Sequence, residues 1–254
     1  LGILNQILAH PLTRGLSIDD PHTTELRRQI IVEKPFLKSI YQEWYGRILD
    51  ALPYRDRVLE LGSGAGFFKE VLPNAITSEI FPVKGVDVVA DACNLRFSDG
   101  ELDAIVMTDV LHHIPGVDRF FAEASRCLRT GGRIVMIEPW RTPWSEWVYT
   151  HLHHEPFEPS AGWDIPATGP LSGANGALPW IVFSRDREEF RRRFPKLEIV
   201  KIEPIMPISY LVSGGVSLRS LVPKFLYKPV RWLEGLLPAG HFAMFALIQV
   251  ERLP

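Results

Sequence analysis

The sequence predicts an α/β fold built on a doubly wound, mostly parallel sheet, and three observations carry that expectation. Short apolar runs alternate with helically spaced segments between residues 58 and 138, the pattern of strands joined by crossover helices. The first run, Val58-Leu59-Glu60-Leu61, ends in Gly62-Ser63-Gly64-Ala65-Gly66, where the alternating glycines allow a sharp turn and a close approach of backbone to ligand. The chain of 254 residues, 46% hydrophobic and 23% charged, is long enough for one large core.

In chain order, residues 1–32 read as a polar, irregular and peripheral stretch, with Asp19-Asp20-Pro21-His22 as a turn signal. From Pro35 the spacing of Phe36, Leu37, Ile40, Tyr41, Trp44, Tyr45, Ile48 and Leu49 predicts a helix with proline in its first turn and a packing stripe of aromatics. After strand one, Phe67–Leu72 reads as a short helix, residues 75–80 as strand two and residues 86–90 as strand three. Leu102–Thr108 is strand four, residues 117–128 a helix, and residues 133–138 strand five. Seven prolines between Pro139 and Pro179 interrupt the alternation, so 139–184 reads as a long irregular lid or binding loop. A charged helix over 185–194 and strands over 198–206 and 242–251 complete the sheet, with 207–241 as a cap between the last two. The expected organisation is one domain over 1–254: an N-terminal arm (1–54), a ligand-binding core (55–140), the lid and the cap.

Composition excludes some partners. A net charge of −2 gives no bulk attraction to nucleic acid, and no basic tract with interleaved aromatics is present. Cys93 and Cys127 have neither disulfide nor zinc-ligand spacing, which favours a reducing cytoplasm. No signal-peptide pattern stands at Leu1, and no run is long enough to span a bilayer.

The glycine loop with its following motifs resembles the class I S-adenosylmethionine-dependent methyltransferases, in the small-molecule branch (methyltransferase type 11-like) that carries a Leu-His-His-Ile stretch after strand four. The resemblance covers about residues 55–140. It implies a Rossmann-like seven-stranded sheet, mostly parallel, whose last strand runs antiparallel. It also implies S-adenosylmethionine as cofactor, with Glu60, Gly62, Ser63, Gly64 and Gly66 around the methionine end and Glu79 accepting from the ribose hydroxyls. Asp91 would accept from the adenine amine, Ile80 and Ala92 would flank the ring, and Thr108, Asp109 and Val110 would line the floor below the sulfonium. One departure is that Phe81-Pro82-Val83-Lys84-Gly85 leads almost directly into strand three, where the family has a helix.

Methyl transfer to a hydroxyl needs alignment, dryness and a proton acceptor. His112, His113 and Glu138 sit at the carboxyl edge of the sheet, and His153 and His154 in the lid, so these five are the candidate bases. Trp140 is a candidate wall, and Ser172–Ala177 a candidate substrate-binding turn. His151 with His154 or Glu155 would share a helix face, but the H-E-x-x-H pattern is lacking and no metal is expected. Along 222–237, Val222, Phe225, Leu226, Val230, Leu233 and Leu237 fall on one side, with Lys224, Lys228 and Arg231 on another, which offers either a sheet cap or a peripheral membrane contact. The expected activity is methyl transfer, at oxygen, to a small-molecule, sugar or lipid-linked acceptor. The alternatives are a nicotinamide-dependent oxidoreductase, against which the displaced third glycine argues, and a catalytically silent cofactor-binding protein on the same scaffold.

Overall fold

The computed structural model describes residues 10–153, 155–166 and 168–254. His154 therefore lies outside the described residues. The framework is a seven-stranded sheet of order β3-β2-β1-β4-β5-β7-β6. Its strands are β1 Val58–Leu61, β2 Ile76–Glu79, β3 Val88–Val89, β4 Leu102–Thr108, β5 Leu128–Pro139, β6 Leu197–Ile205 and β7 Phe245–Arg252. β1 through β5 pair in parallel, and β7 enters antiparallel between β5 and β6. Every residue of β1 is buried, as are Leu102–Met107 of β4, because helices or loops cover both sheet faces. β1 pairs with β2 on one side and β4 on the other, so the chain leaves these neighbours in opposite directions. That divergence opens a crevice at their carboxyl ends.

Five helices matter for the site: α1 Pro21–Glu33, α2 Pro35–Ala51, α3 Val117–Cys127, α4 Pro143–Leu152 and α5 Arg187–Arg193. α2 buries Phe36, Leu37, Ile40, Trp44, Tyr45 and Ile48 as its spacing requires. α1 corrects the expectation of an irregular, peripheral N-terminal stretch. The Asp20-Pro21 pair starts a helix: the Asp20 side chain accepts from the His22 N–H at 2.9 Å, and Pro21 takes the first helical position. Thr23, Thr24, Ile30 and Ile31 are buried. Asp19 accepts from the N–H groups of Leu171 and Ser172 at 2.8 and 2.9 Å, tying this segment to the proline-rich stretch.

Three further expectations change. Only a single 3₁₀ turn, Phe68–Glu70, follows the glycine loop. The 139–184 stretch is less irregular than its prolines suggest, for Pro143 opens α4 behind a Thr142–Ser145 capping box. The segment 222–237 folds with its basic residue inward. In the helix Tyr227–Glu234, here α6, the Arg231 guanidinium pairs with Glu43 at 2.7 Å and with Glu234, and Tyr227 donates to Glu43 at 2.6 Å. Val222, Leu226 and Val230 pack on the core, whereas Phe225 and Leu233 face outward with Leu221, Trp232 and Leu236. Among the described residues no helix is long and apolar enough to cross a membrane.

Candidate active site

The crevice between β1 and β4 opens into one cavity of about 1010 Å³. That is the upper end of the range for a single ligand, about 300–1,000 Å³. One part of its wall comes from the sheet edge: Gly62, Ala65, Glu79, Ile80, Asp91 and Ala92. A second comes from the β4 exit, with Thr108, Asp109, Val110 and His113. The roof is made by residues of the 13–27 stretch, by Val148, Tyr149, Leu152, His153 and Glu155 with Gly169–Leu171, and by Tyr210, Leu211 and Gly214–Leu218. A buried lysine fixes that last piece, since Lys34 Nζ donates to the carbonyls of Gly215 and Leu218, the latter at 2.8 Å. Burial lowers its pKa to about 8.

The glycine loop is shaped for close approach. Gly62 has φ +68°, and a Cβ there would collide with the Val110 side chain. A Cβ on Gly64 would strike Thr24 and sit 2.7 Å from Glu79 Oε2. The Gly64 N–H donates to that same oxygen at 3.1 Å, and the Ile80 N–H donates to Glu79 Oε1 at 2.9 Å. Glu79 thus faces the cavity with a fixed carboxylate whose remaining lone pairs are available to a diol. Asp91 is held by accepting from the Cys93 N–H at 2.8 Å.

Glu60, Ser63, Gly64 and Gly66 lie behind this wall. Ser63 knits β1 to β2 through Glu60 O and the Ser78 N–H, and the Gly66 N–H donates to Ser63 O. Glu60 is 4% exposed, one of its oxygens has no partner, and burial pushes its pKa up to about 7. A carboxyl raised this way favours folding below its unfolded value near 4.5, and that advantage is lost as pH rises to about 7. For the cofactor-free protein, Glu60→Gln is therefore expected to gain on the wild type by about 3 kcal/mol between pH 4.5 and pH 8. Denaturant melts at the two pH values check this, and a pH-independent difference would refute the buried ionisation.

At the β4 exit, Asp109 has φ +64°, an uncommon conformation for a non-glycine residue. The following 3₁₀ turn, Leu111–His113, is clamped by Glu138. Glu138 Oε1 accepts from the Val110 and Leu111 N–H groups at 2.8 Å each, and Oε2 lies 2.8 Å from His112 Nδ1. Glu138 and His112 are both fully buried, so neither walls the cavity, and nor does Trp140. His113 and His153 do reach it. His113 Nδ1 lies 3.2 Å from Gly173 O, and the Asn175 N–H donates to His112 O, so the Ser172–Ala177 turn supports the histidines.

Glu155 also lines the cavity, beside both histidines. Its carboxylate is 3.5 Å from His112 Nε2 and 3.9 Å from His113 Nε2. The sequence places Glu155 next to a histidine cluster but gives no sign of this long-range pairing. His151, its expected partner, instead stacks on Trp147 at the surface. Although burial opposes it, Glu138 and Glu155 hold His112 well above the usual histidine range. Burial and the adjacent His112 push His113 down to about 3, and burial raises Asp109 to about 7.

A parallel sheet with a glycine loop on β1, an acid closing β2 and a deep crevice at the β1–β4 divergence is the place where open α/β sheets take up ligands. Residues 59–136 match the methyltransferase domain family. The chain is 34% identical over 99 residues to the demethylmenaquinone methyltransferase of Thermobifida fusca (strain YX), across 39% of this chain and 34% of that protein. It therefore matches about a third of that relative's length. Two solved structures share the fold. Geranyl diphosphate C-methyltransferase from Streptomyces coelicolor A3(2) is 16% identical with a TM-score of 0.52, covering 97% of this chain and 92% of that one. The protein solved with the Trm112 methyltransferase activator of Haloferax volcanii is 13% identical with a TM-score of 0.55, covering 94% and 98%.

Proposed function

We propose that this protein binds S-adenosylmethionine at the β1–β4 crevice and methylates an oxygen of an apolar or lipid-linked small molecule. The observation that carries the reading is one continuous cavity that joins the glycine loop, Glu79 and Asp91 to Asp109, His113 and Glu155. The residues fit the cofactor. The Gly62 position leaves backbone exposed to the cavity, and Glu79, oriented from behind by the Gly64 N–H, is preset to accept from a ribose diol. Asp91 would take the adenine amine, and Ile80 and Ala92 would flank the ring. Thr108, Asp109 and Val110 would lie below the sulfonium.

When bound, the cofactor supplies a methyl group on an already activated leaving group. The chain supplies alignment: residues 13–27, the lid and the cap wall the cavity and limit the access of water to the transfer. Asp109, His113, His153 and Glu155 surround the acceptor end, where they hold the acceptor oxygen and its proton. Glu138 and His112 position that end from behind. The lid (139–184) and the cap (207–241) select the acceptor. Cys93 and Cys127 are free thiols, in keeping with a cytoplasmic protein.

The test has two arms. Calorimetry is expected to detect S-adenosylmethionine binding and no nicotinamide dinucleotide binding, and methyl-labelled cofactor is expected to label prenyl or polyprenyl-linked hydroxyl acceptors. Binding without product across such a panel would favour a catalytically silent cofactor-binding protein instead.

An exposed patch favours a lipid-linked acceptor in particular. Phe225 is 77% exposed and Trp232 67%, with Leu221, Leu233 and Leu236 beside them in sequence and the exposed Lys224 and Lys228 interspersed. Bulky apolar groups with lysines suit the interface of an anionic bilayer. The same segment continues back to Gly214–Leu218, which walls the cavity. Phe225→Asp with Trp232→Asp is expected to lower sedimentation with anionic vesicles at least about tenfold, since each aromatic contributes about 1.5–3 kcal/mol when withdrawn from water. Wild-type protein that stays in the supernatant would dispose of the membrane contact.

A further inference from the structure

We propose that His112, His113 and Glu155 form a binding site for a divalent first-row transition ion, such as zinc, at the acceptor end of the cavity, where the ion would hold the acceptor oxygen. The role in holding the acceptor rests on the methyltransferase reading, but the ion site itself rests on geometry alone.

The ring orientations are fixed by their partners. His112 Nδ1 faces Glu138 Oε2 at 2.8 Å, and His113 Nδ1 faces the Gly173 carbonyl at 3.2 Å. Neither a carboxylate nor a carbonyl can donate a hydrogen bond, so in both rings Nδ1 carries the proton. With an ion in place of the Nε2 proton of His112, both Nε2 atoms present lone pairs toward the Glu155 carboxylate. Metal-ligating histidines show this arrangement almost always, with the distal nitrogen held by a carboxylate or backbone carbonyl.

The separations agree. His112 Nε2 to Glu155 Oε2 is 3.5 Å and His113 Nε2 to Glu155 Oε1 is 3.9 Å, too long for good hydrogen bonds. Ligand atoms about 2.0–2.2 Å from a shared ion stand roughly 3–3.6 Å apart, so the two histidine–glutamate separations are near ligand spacing and rotation of the side chains about an ion completes the site. All three ligand atoms already lie within 4.8 Å of one another. Independently, His112 Nε2 is a fully buried nitrogen with no hydrogen-bond partner, aimed into this cluster. Two imidazoles and a carboxylate suit zinc, iron(II) or cobalt(II) rather than magnesium or calcium. His113 and Glu155 line the cavity, so an open coordination position faces the acceptor.

The full chain, stripped with a chelator, should be titrated with zinc by calorimetry and with cobalt(II) by visible absorption. One equivalent of tight binding is expected, with the intense bands of low-coordinate cobalt. Glu155→Gln and His113→Gln should each weaken binding at least about tenfold, and Glu138→Gln, acting through His112, about 10–100-fold. His151→Gln, on the outer face of α4, should change nothing. The inference is overturned if the wild type takes up no metal, with His112 carrying protons on both nitrogens by NMR. It is also overturned if uptake survives in Glu155→Gln and His113→Gln. Metal-free protein that methylates as fast as loaded protein would overturn the role in holding the acceptor while leaving the methyltransferase reading intact. Failure of that reading would appear separately, as absent S-adenosylmethionine binding.

Discussion

Glu138→Ala is expected to cost about 3–5 kcal/mol of folding stability, the magnitude for removing one partner of a buried charged pair. Its carboxylate is enclosed and serves three donors, the N–H groups of Val110 and Leu111 and the His112 ring. Alanine leaves all three facing an apolar interior, where each unsatisfied group costs about 1–3 kcal/mol before relaxation. Glu138→Gln retains an acceptor for the two backbone groups and should lose less than half as much. Equilibrium denaturation of the three proteins measures this, and a loss below about 1 kcal/mol for alanine would show that the carboxylate does not organise the β4 exit.

Glu79→Ala is expected to weaken S-adenosylmethionine binding by about 1–3 kcal/mol, a factor of roughly 5–150. Both carboxylate oxygens are already oriented by the Gly64 and Ile80 N–H groups, so the diol acceptor needs no reorganisation on binding. Because those two donors lose their partner, stability must be measured alongside affinity. Unchanged affinity in calorimetry would remove Glu79 from the cofactor site.

Much of the cofactor half was legible because its signals are local. Leu102–Thr108 is a strand with the residues expected, since a short apolar run bounded by charged and turn residues has the length of a strand buried on both faces of a sheet. The α2 stripe follows directly from helical spacing, and Glu79, Ile80, Asp91 and Ala92 line the cavity because strand ends fix their direction. What escaped depends on distant partners. Asp19 and Asp20 carry the chemistry of a turn and of a helix cap alike, and only the docking of α1 against the lid distinguishes them. Arg231 has the spacing of a surface cation, yet Glu43 draws it inward and turns Phe225 and Trp232 out. Glu155 is the sharpest case. Its adjacent histidines suggested a helix face with His151, but α4 ends at Leu152 and the chain turns the carboxylate toward His112 and His113 instead.

The crystal structure of the protein soaked with S-adenosylhomocysteine tests the central claim most directly. The expected result is a ribose diol on Glu79, an adenine between Ile80 and Ala92, and a sulfur above Asp109 and Val110 facing the cavity that ends at Glu155. Density for the thioether elsewhere on the molecule, or a crevice that stays empty at saturating ligand, would contradict it.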